Sequence, residues 1–283
     1  MPRKTPVINI KTIKRYLNYL KEQERSGNTI SKYAHDLTLL CDSMHGQPLT
    51  KAALIDWKQA LVGQYAPASV NSMLTVANSY LRYMGWPGLC VRLLKVQKSL
   101  FLDENKELSR AEYARLVRAA QMQQNERLAL VLQTICATGI RVSELQFITA
   151  EAVQTGRAEI CNKGKRRLVF LPDKLRRLLK AYLRRQKKTA DAVFTTRTGR
   201  PLDRSNIWRD MKALCESAGV AAEKVFPHNL RHLFARVFYA LEKDLSRLAD
   251  ILGHSNVNTT RIYTAESGAA HARQMNRLGL IVT

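Results

Sequence analysis

Apolar residues recur at helical spacing four times within the first hundred positions, and none of the four stripes is wide enough to shield a lone helix. They are Ile13, Tyr16, Leu17 and Leu20; Ile30, Tyr33, Ala34, Leu37 and Leu40; Leu54, Trp57 and Leu61; and Val70, Met73, Leu74, Ala77, Tyr80, Leu81 and Met84, with Gly85 placed to end the last. Narrow stripes bury themselves only by facing one another. A small four-helix bundle is therefore expected at residues 1–97.

Between Lys95 and Glu107 the periodicity fades and charges alternate, which marks a linker at 98–106. Ser109, with Glu112 three residues on, makes a capping-box signature ahead of Tyr113, Leu116 and Val117 and opens a second domain at 107–283. A helix through Leu128, Val131, Leu132 and Ile135 stops at Gly139. The β signal lies at Arg157–Cys161, a turn at Asn162-Lys163-Gly164, and Arg166–Leu171, stopped by Pro172. A shorter strand around Ala152–Gln154 would complete a three-stranded antiparallel sheet. The remainder reads as helical, including the stripe Leu230, Leu233, Phe234, Val237, Phe238 and Leu241, which begins just after Pro227. The expected fold is mainly α: a helical domain followed by an α+β domain with a small sheet.

Hydrophobic residues make up 46% of the 283, enough for two cores, so the charge must sit on folded surfaces. That charge is a net +23, with 15 basic against 7 acidic residues up to Lys106 and 31 against 16 beyond it. Both halves are therefore suited to one polyanionic partner, and a basic tail on a neutral domain is excluded. No apolar run approaches the ~20 residues of a membrane span, and the start of the chain has no apolar segment of signal-peptide type. No membrane association is expected, and the cytoplasm is the expected compartment. The five cysteines, Cys41, Cys90, Cys136, Cys161 and Cys215, are scattered without close pairing, so they suggest reduced thiols rather than a zinc site or disulfides.

The chemistry-bearing residues cluster in short motifs. Arg141, in Thr-Gly-Ile-Arg-Val-Ser-Glu-Leu (138–145), lies past a glycine helix stop and before Ser143, a candidate cap for the next helix, so its side chain can reach out of a junction. Glu144 could orient it, or simply complement a helix dipole. His228 and Arg231 stand at i and i+3 and can address one anionic group together, the arginine as a planar fork and the histidine as donor or proton shuttle. His232 reads as structural. His254 follows Gly253 at a helix end, and Tyr263 lies nine residues beyond it, after a segment rich in cap-forming side chains. Its apolar neighbour Ile262 leaves Tyr263 free to point elsewhere. Lys163, in the hairpin turn beside Lys165, Arg166 and Arg167, either touches DNA backbone or enters a groove to protonate a leaving oxygen. A hydroxyl nucleophile, imidazoles and two arginines are parts with which a phosphodiester can be attacked without a metal.

Taken together, Thr-Gly-Ile-Arg-Val-Ser-Glu-Leu, His-Asn-Leu-Arg-His, and Leu-Gly-His with a tyrosine nine later resemble the motifs of the tyrosine recombinase, or phage integrase, family, and the resemblance spans the whole chain. It implies a helical core-binding domain of SAM-like type and a catalytic domain that clamp duplex DNA. It further implies that Tyr263 attacks a phosphate to leave a 3′-phosphotyrosyl link and a free 5′-hydroxyl. Arg141, His228 and Arg231 would hold the non-bridging oxygens, His254 would assist, and Lys163 would protonate the leaving oxygen, with Lys165 as its alternative because the hairpin turn is more compact than in many relatives. The expected partner is double-stranded DNA with an inverted-repeat core site, bound by a homotetramer that exchanges strands through a Holliday junction, with a monomer as the free form. No metal, ATP or other cofactor is implied. A mobile-element integrase, a Xer-type chromosome or plasmid dimer resolvase and a type IB-like topoisomerase all use this attack. A DNA-binding regulator of the same descent would not need the full set of residues.

After Tyr263, the residues Ala269, Ala272, Met275 and Leu278 form a short apolar stripe ended by Gly279. A helix so short needs a surface, either on its own catalytic domain or on a neighbouring protomer.

Overall fold

The structure is a computed structural model, which describes residues 6–96, 105–162, 164–186, 192–196, 198–263 and 276–277. Contacts divide the chain into two compact units, Met1–Lys98 and Ser99–Thr283. The expected tail stripe lies outside the described residues, as does most of the expected linker.

The first unit is built from α1 (Ile10–Glu22), α2 (Gly27–Met44), α3 (Lys51–Gln64) and α4 (Pro67–Tyr83). Asn9, Ser26 and Thr50 cap the first three by accepting backbone N–H groups, and Pro67 occupies the first turn of α4, where a missing N–H costs nothing. The four stripes meet in one core around Tyr16, Leu37, Leu40, Leu54, Leu74 and Tyr80, all buried. Both buried phenols find partners: Tyr16 reaches Ser79 Oγ and Tyr80 reaches Thr12 Oγ1, each at 2.7 Å. Asn78 and Asn71, two turns apart on α4, each bracket a backbone unit of the exit segment, at Val91 and Leu94. These amides hold the chain leaving the bundle against α4.

The second unit is centred on α6 (Glu126–Thr138), which is buried on most sides and packs against α5 (Arg110–Met122), α8 (Asp173–Arg185), α9 (Arg204–Ala213) and α11 (Pro227–Glu242). The Ser109–Glu112 capping box is formed in both directions at the start of α5, and Gly139 ends α6 with φ +66°. Between α6 and the sheet run a 3₁₀ turn at Val142–Phe147 and α7 (Ala150–Thr155). After α9 come the short α10 (Cys215–Ala218), then α11 and α12 (Leu245–Leu252).

The sheet has two strands among the described residues, β1 (Arg157–Asn162) and β2 (Lys165–Phe170), paired antiparallel with Ile160 opposite Arg167. The third strand expected at Ala152–Gln154 is instead the middle of α7. Thr149 caps that helix by accepting the Ala152 N–H and Gly156 closes it with φ +80°, so local start and stop signals outweigh the short β-like run. Ser143 does not cap the following helix; it lies inside the 3₁₀ turn, which Arg141 precedes as its N-cap. Along α11, Leu230 and Leu233 are buried, but Leu241 at the end of the stripe is exposed. No helix among the described residues is long and apolar enough to cross a membrane.

Candidate active site

Three chain breaks in regular structure create the site: the end of α6, the start of α11 and the end of α12. Arg231, one turn into α11, is 1% exposed and ties the other two together. Its Nη1 donates to the Gly139 carbonyl at 2.6 Å, and its Nη2 donates to the Leu252 carbonyl at 2.7 Å and to Nε2 of His254 at 3.0 Å. A guanidinium suits this position because it carries several donors in one rigid plane and keeps its charge when buried. Burial, and then the nearby Arg141 charge, pull its pKa down to about 10, so it remains a cation at neutral pH.

The contact with Arg231 assigns the state of His254. A guanidinium only donates, so Nε2 accepts and the ring proton sits on Nδ1, 2.8 Å from the Oγ1 of buried Thr260. Burial, followed by repulsion from Arg231, Arg141 and Arg167, lowers the pKa of His254 to about 4. His228 is likewise lowered to about 4 by desolvation and by His232, Arg231 and Arg141. Both rings are neutral around pH 7.

Arg141 stands at the α6 junction with its side chain partly open to solvent. Its backbone N–H donates to Oε2 of Glu144 at 2.7 Å and its Nη1 to Oε1 at 3.0 Å. Glu144 is 1% exposed and also receives both outer nitrogens of Arg167, at 2.9 and 2.7 Å. Burial alone would raise the carboxyl, but Arg167 and the Arg141 backbone N–H outweigh it and hold the pKa at about 2. Glu144 is therefore an orienting anion, as one of its two sequence readings had it.

Tyr263 ends a short 3₁₀ turn, Arg261–Tyr263, and is buried while its neighbour Ile262 is exposed. Its ring lies 6.2 Å from that of His254, nearly parallel, and 5.1 Å from that of His232, edge to face. Burial raises the phenol pKa, while the nearby Arg231 charge pulls the other way. The structure thus brings Arg141, His228, Arg231, His254 and Tyr263 into one neighbourhood. Lys163 lies outside the described residues.

Arg167 is the residue that motif reading passed over. On β2 it shares a face with buried Val169, opposite buried Ile160, whereas Leu168 and Phe170 on the other face are exposed. An arginine at an inward strand position was the available signal. Its side chain also lies across Gly253, where a Cβ would come within 2.9 Å of it, so the glycine preceding His254 leaves room for the arginine that anchors Glu144.

The sequence matches the family model described as "Phage integrase family" over residues 106–269 and that described as "Phage integrase, N-terminal SAM-like domain" over residues 13–88. Among its relatives, tyrosine recombinase XerD of Proteus mirabilis is 30% identical over 267 residues, covering 86% of this chain and 84% of the relative. Tyrosine recombinase XerD of Vibrio cholerae serotype O1 is 29% identical over 263 residues, covering 86% and 87%. The fold is similar to that of a lambda integrase tetramer bound to a Holliday junction, with a TM-score of 0.75 at 16% identity, covering 92% of this chain and 78% of that one.

Proposed function

The chain belongs to the phage integrase family and is a tyrosine recombinase that cleaves and rejoins DNA, and from that premise we propose that Tyr263 is its nucleophile and that Arg141, Lys163, His228, Arg231 and His254 serve it. The observation that carries the assignment is the buried Arg231, which donates to the ends of both α6 and α12 and to His254, beside the Tyr263 ring. A scissile phosphate set against Arg141 and Arg231 has its non-bridging oxygens met by two fixed cations, with an N–H of neutral His228 as a further donor. Phosphoryl transfer depends chiefly on positioning and charge stabilisation, which such groups supply. The Tyr263 hydroxyl gives up its proton to solvent as its oxygen bonds to phosphorus and the bond to the 5′-oxygen breaks, and Lys163 delivers a proton to that leaving oxygen. The 3′-phosphotyrosine keeps the bond energy, so a 5′-hydroxyl from a partner strand can displace the tyrosine and reseal the backbone without ATP.

Two copies on an inverted-repeat core site and four on a pair of sites, with a monomer as the free form, is the proposed assembly. The likeness to the lambda integrase tetramer on its junction supports it. The net charge of +23 suits a phosphate-dominated interface, and nucleoid DNA in the cytoplasm is the proposed location. The relatives named XerD favour, as a second reading of biological role, resolution of chromosome or plasmid dimers over mobile-element integration.

The test uses a core site selected by this protein from random-sequence duplex DNA and rebuilt as a nicked suicide substrate. Wild type is expected to form a covalent adduct in excess EDTA, and Tyr263→Phe to bind the duplex without forming one. A normal adduct yield from Tyr263→Phe would overturn the nucleophile assignment, and loss of activity with chelator, restored by magnesium, would overturn the arginine-based mechanism.

A further inference from the structure

We propose that Glu107 and His232 are a positioning pair for Tyr263, an inference that rests on the proposed role of Tyr263 as nucleophile. Three side chains on one stripe of α11 grip three consecutive residues ahead of α5. Asn229 donates to the Lys106 carbonyl at 2.9 Å, His232 Nδ1 lies 3.3 Å from Oε1 of Glu107, and Arg236 donates to the Leu108 carbonyl at 2.6 Å while lying 3.4 Å from Oε2 of Glu107. Positions 229, 232 and 236 fall along one helix face, so the entering segment is laid against α11 in register. Glu107 is thereby fixed from both sides.

The carboxylate accepts, so Nδ1 of His232 donates and the imidazole is held by its tether. Held in this way, the ring contacts both neighbours that matter. It meets Tyr263 edge to face at 5.1 Å and His228 edge to face at 4.6 Å. His254, locked by Arg231 and Thr260, also lies against Tyr263. The nucleophile's ring therefore contacts two imidazoles, each fixed by its own hydrogen bond.

A purely space-filling role does not account for the pair. Nε2 of His232 is buried and has no hydrogen-bond partner among the described residues, and Oε2 of Glu107 likewise has no hydrogen-bond partner there. An apolar side chain in place of His232 would fill the same volume without leaving its Nε2 unpaired. The feature that an apolar residue cannot reproduce is the directional tether, which sets the ring's rotation and with it the surface against which Tyr263 rests. His232, read from sequence as structural, acts through Tyr263 and His228 rather than on the phosphate.

The experiment measures adduct formation and half-site affinity for full-length protein on the selected suicide duplex. Glu107→Ala and His232→Ala are expected to slow the adduct step by on the order of tenfold to a hundredfold while half-site affinity stays near wild type. Glu107→Gln, whose amide oxygen still accepts the Nδ1 proton, is expected to recover most of that loss. Melting temperatures are recorded for all three, and rates are taken well below the lowest. Should His232→Ala fail to fold, the ratio of Glu107→Ala to Glu107→Gln decides alone. A wild-type rate from Glu107→Ala, or a Glu107→Gln rate as low as that of Glu107→Ala, would overturn the pair. No adduct from wild type itself would overturn the nucleophile reading and this inference with it.

Discussion

Nη2 of Arg231 donates to Nε2 of His254 at 3.0 Å, which makes the histidine an acceptor held beside a buried cation. A phosphodiester placed there would bring negative charge to a site that repels protons, so DNA and proton binding at His254 are coupled.

Without DNA, His228 and His254 stay neutral down to about pH 4, and their ring-proton NMR signals should not titrate between roughly pH 5.5 and 8. Adding uncleavable duplex should raise the His254 midpoint, because the phosphate offsets the arginine charges. Unchanged midpoints would place the phosphate elsewhere. The stability consequence has a definite sign: the unfolded chain takes up these protons at an ordinary histidine pKa of 6.5, so stability is complete above that pH and falls as pH drops towards 4.

Glu144 acts in a lower window. Its folded pKa of about 2 lies below its ordinary 4.5, so its contribution is complete above pH 4.5 and is lost as pH falls towards 2. Glu144→Gln should flatten that part of the stability curve. Glu144→Ala, which leaves Arg167 without its carboxylate in a mostly buried setting, should cost about 3–5 kcal/mol, read by urea denaturation at pH 7. Arg167→Lys should slow adduct formation roughly tenfold or more, since one ammonium cannot fork onto both oxygens of Glu144. A neutral effect from Glu144→Ala and from Arg167→Lys would remove Glu144 from the site's framework.

Gly139 combines φ +66° with a close approach, since a Cβ there would come 2.4 Å from the Phe234 ring. Gly139→Ala should cost roughly 2–5 kcal/mol through backbone strain and overpacking, and should displace the carbonyl that Arg231 holds. Gly85, with φ +77° and open space around it, offers the control. Gly85→Ala should cost only about 1–2 kcal/mol. Equal melting shifts for the two would show that Phe234 yields freely.

For the general acid, Lys163→Ala should abolish cleavage of ordinary DNA and regain it when the leaving 5′-oxygen is replaced by sulfur, which departs without a proton. Rescue of Lys165→Ala instead, with Lys163→Ala unaffected, would move the role two residues along the hairpin.

Local chemistry made much of this molecule legible in one dimension. Helical spacing, Pro227 at a helix start, Gly85, Gly139 and Gly253 past helix ends, and the Ser109–Glu112 capping box are short-range signals. They located the helices of the first unit and the breaks at which Arg141 and His254 stand. The motifs around Arg231 and Tyr263 were also readable, because their chemistry depends on residue type and spacing. The third strand was misread because Ala152–Gln154 is too short for periodicity to outweigh the cap at Thr149 and the stop at Gly156. What only the tertiary structure decided is how charge is compensated. Burial of Arg231, the neutral state of His254, the inward turn of Arg167 onto Glu144 and the tether from Glu107 to His232 join residues far apart in sequence. Hydrogen bonding and desolvation depend on distance in space, and a linear pattern carries neither.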